Sequence, residues 1–440
     1  MLAMGLFFSP SHVHPFEGYY RFILHPSLMD FDGLQQGSHF GTAFLNAGLQ
    51  LIVVFLVYKW TKTDIHGVQI AAAMMVMGFS FYGKNMVNVW FPFIGVMLYT
   101  IAQDKPLKTN TALAWFSTAL APVFSVLAFN KDALGPVSPT AIIMGAAMGI
   151  LGGVFVAAIA SDHLPRLHQG YILFNAGFAD GIAGIFIYAI LRAMGLGHGR
   201  YPYVEIAQAL KQGIRADYVS GQNGVLGLTL FILFAYLIIA GIKLGGAGEF
   251  KNMIWVRCKG GNFVEKYGIA PCLINMGFMG LVSTAYVFLT FRGQLGGPLY
   301  ACICTAVGLA ASGVTLRMFL PTLAGVSLTA FVTGGIAGFV EGGYFLEGAI
   351  TNVSSRGMLL AAIFSCGLAP VVGEHGPLAG LFVGVMHAVL VPNTGAFHGW
   401  MSLYNNGLSL SLVATFMHPI YSKLHIDDKK AAVIALETET

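Results

Sequence analysis

The sequence predicts an all-α fold: a polytopic transmembrane helical bundle built from two homologous repeats, with about 11–13 crossings. Three observations carry that expectation: an oily composition, apolar runs of membrane-spanning length, and polar words repeated at a fixed offset. Of the 440 residues, 56% are hydrophobic and 10% charged, against roughly 25% charged in ordinary soluble domains. Runs approaching the ~20 residues a helix needs to cross a bilayer recur from residue 41 almost to 422.

The repeat is legible in four words. SHFGTAFLNAGL (38–49), LHQGYILFNAGF (167–178) and AFHGWMSLYNNGL (396–408) each place a histidine seven positions before an asparagine, then one residue, a glycine and a large apolar side chain. KYGIAPCLINMGF (266–278) keeps Asn-x-Gly but has Gly268 in the histidine's place. Asn46 and Asn275 lie 229 apart, and Asn175 and Asn405 lie 230 apart. Gly78 matches Gly308, Gly83 matches Gly313, and GVML (95–98) matches GVSL (325–328), all at 230. FSTALAPV (116–123) is answered by FSCGLAPV (364–371) at 248, so the second repeat carries an insertion of about eighteen residues, within GGIAGFVEGGYFLEGA. Ordered matches over this length point to duplication.

Taken in order, 1–37 is an N-terminal segment without the basic start and sustained apolar run of a signal peptide, and is expected to be retained. Repeat one, 38–195, holds apolar segments at 41–58, 67–82, 88–103, 111–128, 139–161 and 170–194. A linker, 196–267, contains one strongly apolar helix at 224–244. Repeat two, 268–425, answers with segments at 269–291, 296–315, 318–336, 354–372, 376–392 and 399–421, and a polar tail covers 426–440. If all six segments of each repeat cross, the single linker helix turns repeat two upside down. One re-entrant segment per repeat would reverse that conclusion, and Gly and Asn inside the segments make broken or re-entrant helices candidates. On a thirteen-crossing count the Lys and Arg residues favour a cytoplasmic C-terminus in a cell (inner) membrane.

Asparagines in apolar helices are unlikely to face lipid, because an unpaired buried amide costs on the order of 1–3 kcal/mol. On a continuous helix His39 and Asn46, His168 and Asn175, and His398 and Asn405 would each share a face. Such columns suit the wall of a solute path; helix-to-helix bonding is the plainer alternative. Asn275 and Asn406 belong to the same set of words. Asp180 is a carboxylate inside an apolar segment, of the kind that binds ions or relays protons, and its counterpart in repeat two is Leu410. GEHGP (373–377) offers Glu374 and His375 as a gate or an exposed loop, and His387, inside the following apolar segment, reads as a path ligand or a histidine bonded to backbone. YGKNMVN (82–88) reads equally as a re-entrant turn or an interfacial loop. Glu341 and Glu347 lie in the insertion, as an entrance guard or a solvated turn.

Absent motifs narrow the chemistry. The chain has no phosphate loop, zinc helix, nucleophile elbow or dinucleotide fingerprint, so no enzyme activity, cofactor or metal site is expected. Its net charge of +4 fits loop charges of a membrane protein and argues against nucleic acid. Five cysteines without a CxxC pair imply free thiols.

FYGKNMVNVWFPFIGVMLYTI (81–101), LAPVVGEHGPLAGLFVGVMHAVLV (368–391) and HGWMSLYNNGLS (398–409) resemble a bacterial family of polytopic membrane proteins of unknown function, DUF1576, over nearly the whole chain. That resemblance implies no substrate. Two related membrane halves with central polar words are also similar in organisation to urea transporters, although the paired Asn-Pro signature of those proteins is missing. The expected function is a transporter or channel for a small polar solute or ion, with its path between the repeats and the bilayer as its setting. A homo-oligomer is compatible, though no dimerisation word stands out. The alternative is a membrane-embedded subunit of a redox or other multi-protein complex.

Overall fold

Within lipid, a chain must satisfy its own backbone donors and acceptors, and helices do so locally. Helices are the only regular elements among the described residues. These are residues 1–7, 15–26, 29, 32–34, 40–162, 170–196, 220–256, 261–290 and 295–423 of a computed structural model. His39 and His168 lie outside them.

The N-terminal half contains α1 (Leu2–Phe7), α2 (Pro15–Ile23), α3 (Phe40–Trp60), α4 (Gly67–Phe79), α5 (Trp90–Ala102), α6 (Thr111–Ser117), α7 (Ala121–Phe129), α8 (Lys131–Leu134), α9 (Pro139–Asp162) and α10 (Asn175–Ala193). Next come α11 (Ser220–Lys243), α12 (Ala247–Ile254) and α13 (Phe263–Tyr267). The C-terminal half contains α14 (Ile269–Thr290), α15 (Gly297–Ala310), α16 (Leu316–Val340), α17 (Phe345–Val353), α18 (Arg356–Phe364), α19 (Ala369–His375), α20 (Pro377–Thr394) and α21 (Asn405–Lys423). Among the described residues nine helical stretches are long and apolar enough to cross a membrane, and α4, α5 and α15 are shorter apolar helices.

Two helices show how surroundings set composition. α11 turns Phe231, Ile232, Tyr236, Ile239 and Ile242 outward, as a helix facing hydrocarbon must. α21 carries Asn, Ser and Thr along its length, is not among the nine, and is largely buried in protein. There its polar groups find partners that lipid would not supply.

Several helices are broken where the sequence places Gly, Pro or Asn. The FSTALAPV and FSCGLAPV words form the same figure: α6 and α18 each pass through a 3-10 turn (Thr118–Leu120, Ser365–Leu368) into α7 and α19, with Pro122 and Pro370 in the first turn. Between α4 and α5 the chain turns at Gly83, φ 84°, a backbone region open to glycine. This break is buried, and its amides are satisfied locally. Asn85 Oδ1 accepts from the Val87 and Asn88 N–H groups, and Asn88 Nδ2 donates to the Gly83 carbonyl and to Ser125 Oγ. YGKNMVN is therefore an interior break and not an interfacial loop. The stretch GGIAGFVEGGYFLEGA forms the end of α16 and the start of the amphipathic α17.

Matched positions in the two halves make matched contacts. Asn46 on α3 donates to the Ser80 and Lys84 carbonyls, both at 2.8 Å, and Asn275 on α14 donates to those of Ala310 and Val314 at 2.9 and 2.6 Å. Gly67 N–H donates to Asn262 Oδ1, while Gly297 N–H donates to Asp32 Oδ1. Burial raises the Asp32 carboxyl above its ordinary range; the Arg356 charge and the backbone donors of Gly297 and Leu34 oppose that rise. α4 and α15 pack with Gly78 against Ala301 and Gly308 against Ala71, so these helices run in opposite directions.

Candidate functional site

The site is built at the α4 break. Lys84 follows Gly83 there and is fully buried. Its Nζ donates to Tyr404 Oη at 2.8 Å and lies 4.7 Å from the Tyr404 ring centre and 5.1 Å from that of Phe79. Tyr404 comes from the opposite half, in the residue preceding α21. An ammonium held over two aromatic faces and a hydroxyl is stabilised by their electron density. Asp180, on α10, is within electrostatic reach of both Lys84 and Tyr404. It has no exposed surface, and among the described residues neither carboxylate oxygen has a hydrogen-bond partner.

The C-terminal half carries no such pair. At the offset of 230, Lys84 corresponds to Val314 and Asp180 to Leu410. Arg317, the cation four residues past Gly313, is exposed and stacks on Trp255 at 4.7 Å instead. The two charges thus stand together at the centre, and both are replaced by apolar side chains at the matched positions.

The N-terminal ends of α10 and α21 meet beside this centre. A Cβ on Gly177 would lie 2.9 Å from Gly407 Cα. The segments leading into them cross over: Leu173 N–H donates to the Gly367 carbonyl and Leu403 N–H to that of Ala119, both at 3.0 Å. Phe79, Phe174, Phe364 and Tyr404 pack in a chain of ring contacts with centroids 4.8 to 6.2 Å apart.

Two cavities reach the starts of α10 and α21. The first, about 290 Å³, runs from exposed Val68 and Thr109 to Asn175, Ala176, Gly177 and Tyr404. The second, about 170 Å³, is lined by Gly357, Leu360, Val391, Asn405 and Asn406 among others. Some lining positions pair at the offsets of the sequence words: Thr109 with Gly357 and Ala112 with Leu360 at 248, and Asn175 with Asn405 and Ala176 with Asn406 at 230. A recess of about 630 Å³ between α16 and α17 shares Asn352 and Ser355 with the second cavity, and exposed Glu341 and Glu347 stand on it.

The expected site residues divide accordingly. Asn175, Asn405 and Asn406 line cavities, and Asp180 stands at the centre. Asn46 and Asn275 line neither cavity; their amides hold the backbone of the α4 and α15 breaks, so the four asparagines do not converge on one void. His398 is not on a helical stripe with Asn405. The chain turns at Gly399 and Trp400, φ 58° and 61°, and folds the His398 ring back onto Asn405 Oδ1 at 3.2 Å. Asn405 also accepts from Thr394 Oγ1 and donates to the Val391 carbonyl. Glu374 and His375 close α19 rather than a loop, and buried His375 stacks between Tyr171 and Tyr421 at 5.2 and 4.7 Å. His387 shares a hydrogen bond with Ser409 Oγ at 3.0 Å, joining α20 to α21. Sequence reasoning missed Tyr404 and left Lys84 outside the site. The available signal was the joint change of Lys84 and Asp180 to Val314 and Leu410.

Fold and site together define a multi-pass membrane protein with a buried, charged centre. The chain belongs to the DUF1576 family, described as a protein of unknown function, whose model matches residues 11–193 and 258–423. The unmatched interval contains α11 and α12. No curated protein and no solved structure matches the chain.

Proposed function

We propose that this protein carries a small polar solute or ion across the cell (inner) membrane by a route between two duplicated halves. The observation that carries the reading is the pair of cavities at the starts of α10 and α21, one lined by Asn175 with Phe174 and Tyr404 and the other by Asn405 and Asn406. A solute entering one would exchange water for the amides of Asn175, or of Asn405 and Asn406, and for exposed first-turn backbone donors. Phe79, Phe174, Phe364 and Tyr404 would separate the two cavities, and Lys84 with Asp180 would hold the middle. Asn46 and Asn275 serve the route indirectly by fixing the broken helices around it.

The duplication is supported by the matched hydrogen bonds of Asn46 and Asn275 and by the reciprocal α4–α15 packing. Matched helices that pack antiparallel, and that stand across the bilayer, belong to halves of opposite orientation. We therefore read the second half as inverted, with the two cavities opening on opposite faces. The C-terminus is assigned to the cytoplasm on the distribution of Lys and Arg. The role is transport and not catalysis.

The experiment is stopped-flow swelling of proteoliposomes holding the purified protein, challenged with a panel of small neutral and charged solutes. Entry of at least one solute above the protein-free rate supports the reading. Equal rates for every solute, with and without protein, would overturn it.

A further inference from the structure

Asp180 and Lys84 are the feature that a packing account does not explain. A buried ionised carboxylate without hydrogen bonds costs several kcal/mol unless it is paired or protonated. The same framework closes around Val314 and Leu410 at the matched positions, so the bundle needs neither charge to pack. The partners needed for chemistry are nonetheless present: an ammonium within electrostatic reach, and a hydroxyl that joins it to a cavity reaching the surface.

Resting on the transport reading, we propose that Asp180 binds and releases one proton in each transport cycle, with Lys84 as its built-in counter-ion and Tyr404 as its link to the first cavity. Lys84 and Asp180 are not in hydrogen-bond contact, so in the binding step a water relays the proton: a Lys84 N–H bond breaks, the water takes that proton and gives up another, and an Asp180 O–H bond forms, leaving a neutral amine and a neutral acid. The amine regains its proton from water in the cavity through the Tyr404 hydroxyl, which gives up one proton as it accepts another. Release runs the same steps backwards, and no electron is transferred. A metal cation is a poorer occupant, because the Lys84 ammonium repels it. Among the described residues no group of three or more His, Cys, Asp or Glu could hold a metal ion.

Asp180 faces few other titratable groups. α6 and the Thr118–Leu120 turn carry none, nor does α9 before its final residue, Asp162. On α10 itself Tyr188 and Arg192 lie two and more turns away. From the turn before Gly399, His398 packs on Gly184; its Nδ1 accepts from Ser402 N–H while its Nε2 meets Asn405 Oδ1. Both ring nitrogens are thus engaged by a neutral imidazole, and His398 is not the proton carrier.

The test needs no known solute. Dicyclohexylcarbodiimide modifies carboxyl groups that are protonated in apolar surroundings, and peptide mass spectrometry of the full-length protein in detergent locates the adduct. The expected result is modification of Asp180 that falls roughly tenfold per pH unit on its alkaline side, with no difference between sodium and potassium buffers. K84M is expected to leave Asp180 modified at alkaline pH where the parent is not, which reads the electrostatic coupling of the two groups. In proteoliposomes with a trapped pH dye, D180N should lose proton movement. No adduct at any pH, or protection by sodium, overturns the proposal even if solutes cross. A pH-dependent adduct with no solute crossing supports the proton site and removes the transport reading instead.

Discussion

Gly177 and Gly407 touch through their backbones: a Cβ on Gly177 would lie 2.9 Å from Gly407 Cα, and one on Gly407 2.7 Å from Gly177 Cα. Each glycine stands two residues after the asparagine that begins its helix, so the contact joins corresponding points of the two halves. Valine at either position is expected to lower stability by about 1–3 kcal/mol through overpacking. Gly248→Ala, where a Cβ meets nothing within 4 Å, should change it little. Thermal unfolding in detergent followed by tryptophan fluorescence makes the comparison, and equal effects at all three positions would count against the crossing.

Asn46→Ala and Asn275→Ala should each destabilise by about 1–3 kcal/mol, because each removes an amide that donates to two buried carbonyls, although Gln50 Nε2 still donates to that of Lys84. Asn46→Asp should be at least as damaging, since a carboxylate cannot donate to a carbonyl. If Asn46→Ala leaves the unfolding midpoint unchanged, the asparagine is not what holds the α4 break.

The charge pair predicts strong non-additivity. Lys84→Val or Asp180→Leu alone leaves the other buried group without its opposite charge, to be carried or neutralised, at a cost of about 1–3 kcal/mol. The double variant, which copies Val314 and Leu410, should recover most of that stability while losing solute transport. A double-mutant cycle on unfolding midpoints measures the coupling, and simple addition of the two losses would contradict it.

Sidedness gives the test of inversion. Thr109→Cys and Gly357→Cys, each in a cysteine-free background, should react with a membrane-impermeant maleimide from opposite faces of oriented vesicles. Reaction of both from one face would place the two cavities on the same side.

What the sequence made legible was what composition and periodicity control. Oily runs marked the helices, and the Asn-x-Gly words and the 230 offset marked positions that make matched contacts. Asp180 stood out because a lone carboxylate in an apolar segment has few structural uses. Asn46 and Asn275 bond backbone carbonyls and line neither cavity, a distinction the sequence hides because an amide that bonds a solute and one that bonds a carbonyl are the same letter. His398 failed as a helical stripe because two residues in the left-handed region interrupt the helix, and a seven-residue spacing does not reveal them.

By itself, then, the sequence determined that the chain must fold as apolar helices with its scarce polar groups turned inward, since hydrocarbon offers those groups no partner. Only tertiary structure decided which groups meet. Lys84 and Tyr404 are 320 residues apart, and local spacing carries no information about a contact made by the crossing of two halves.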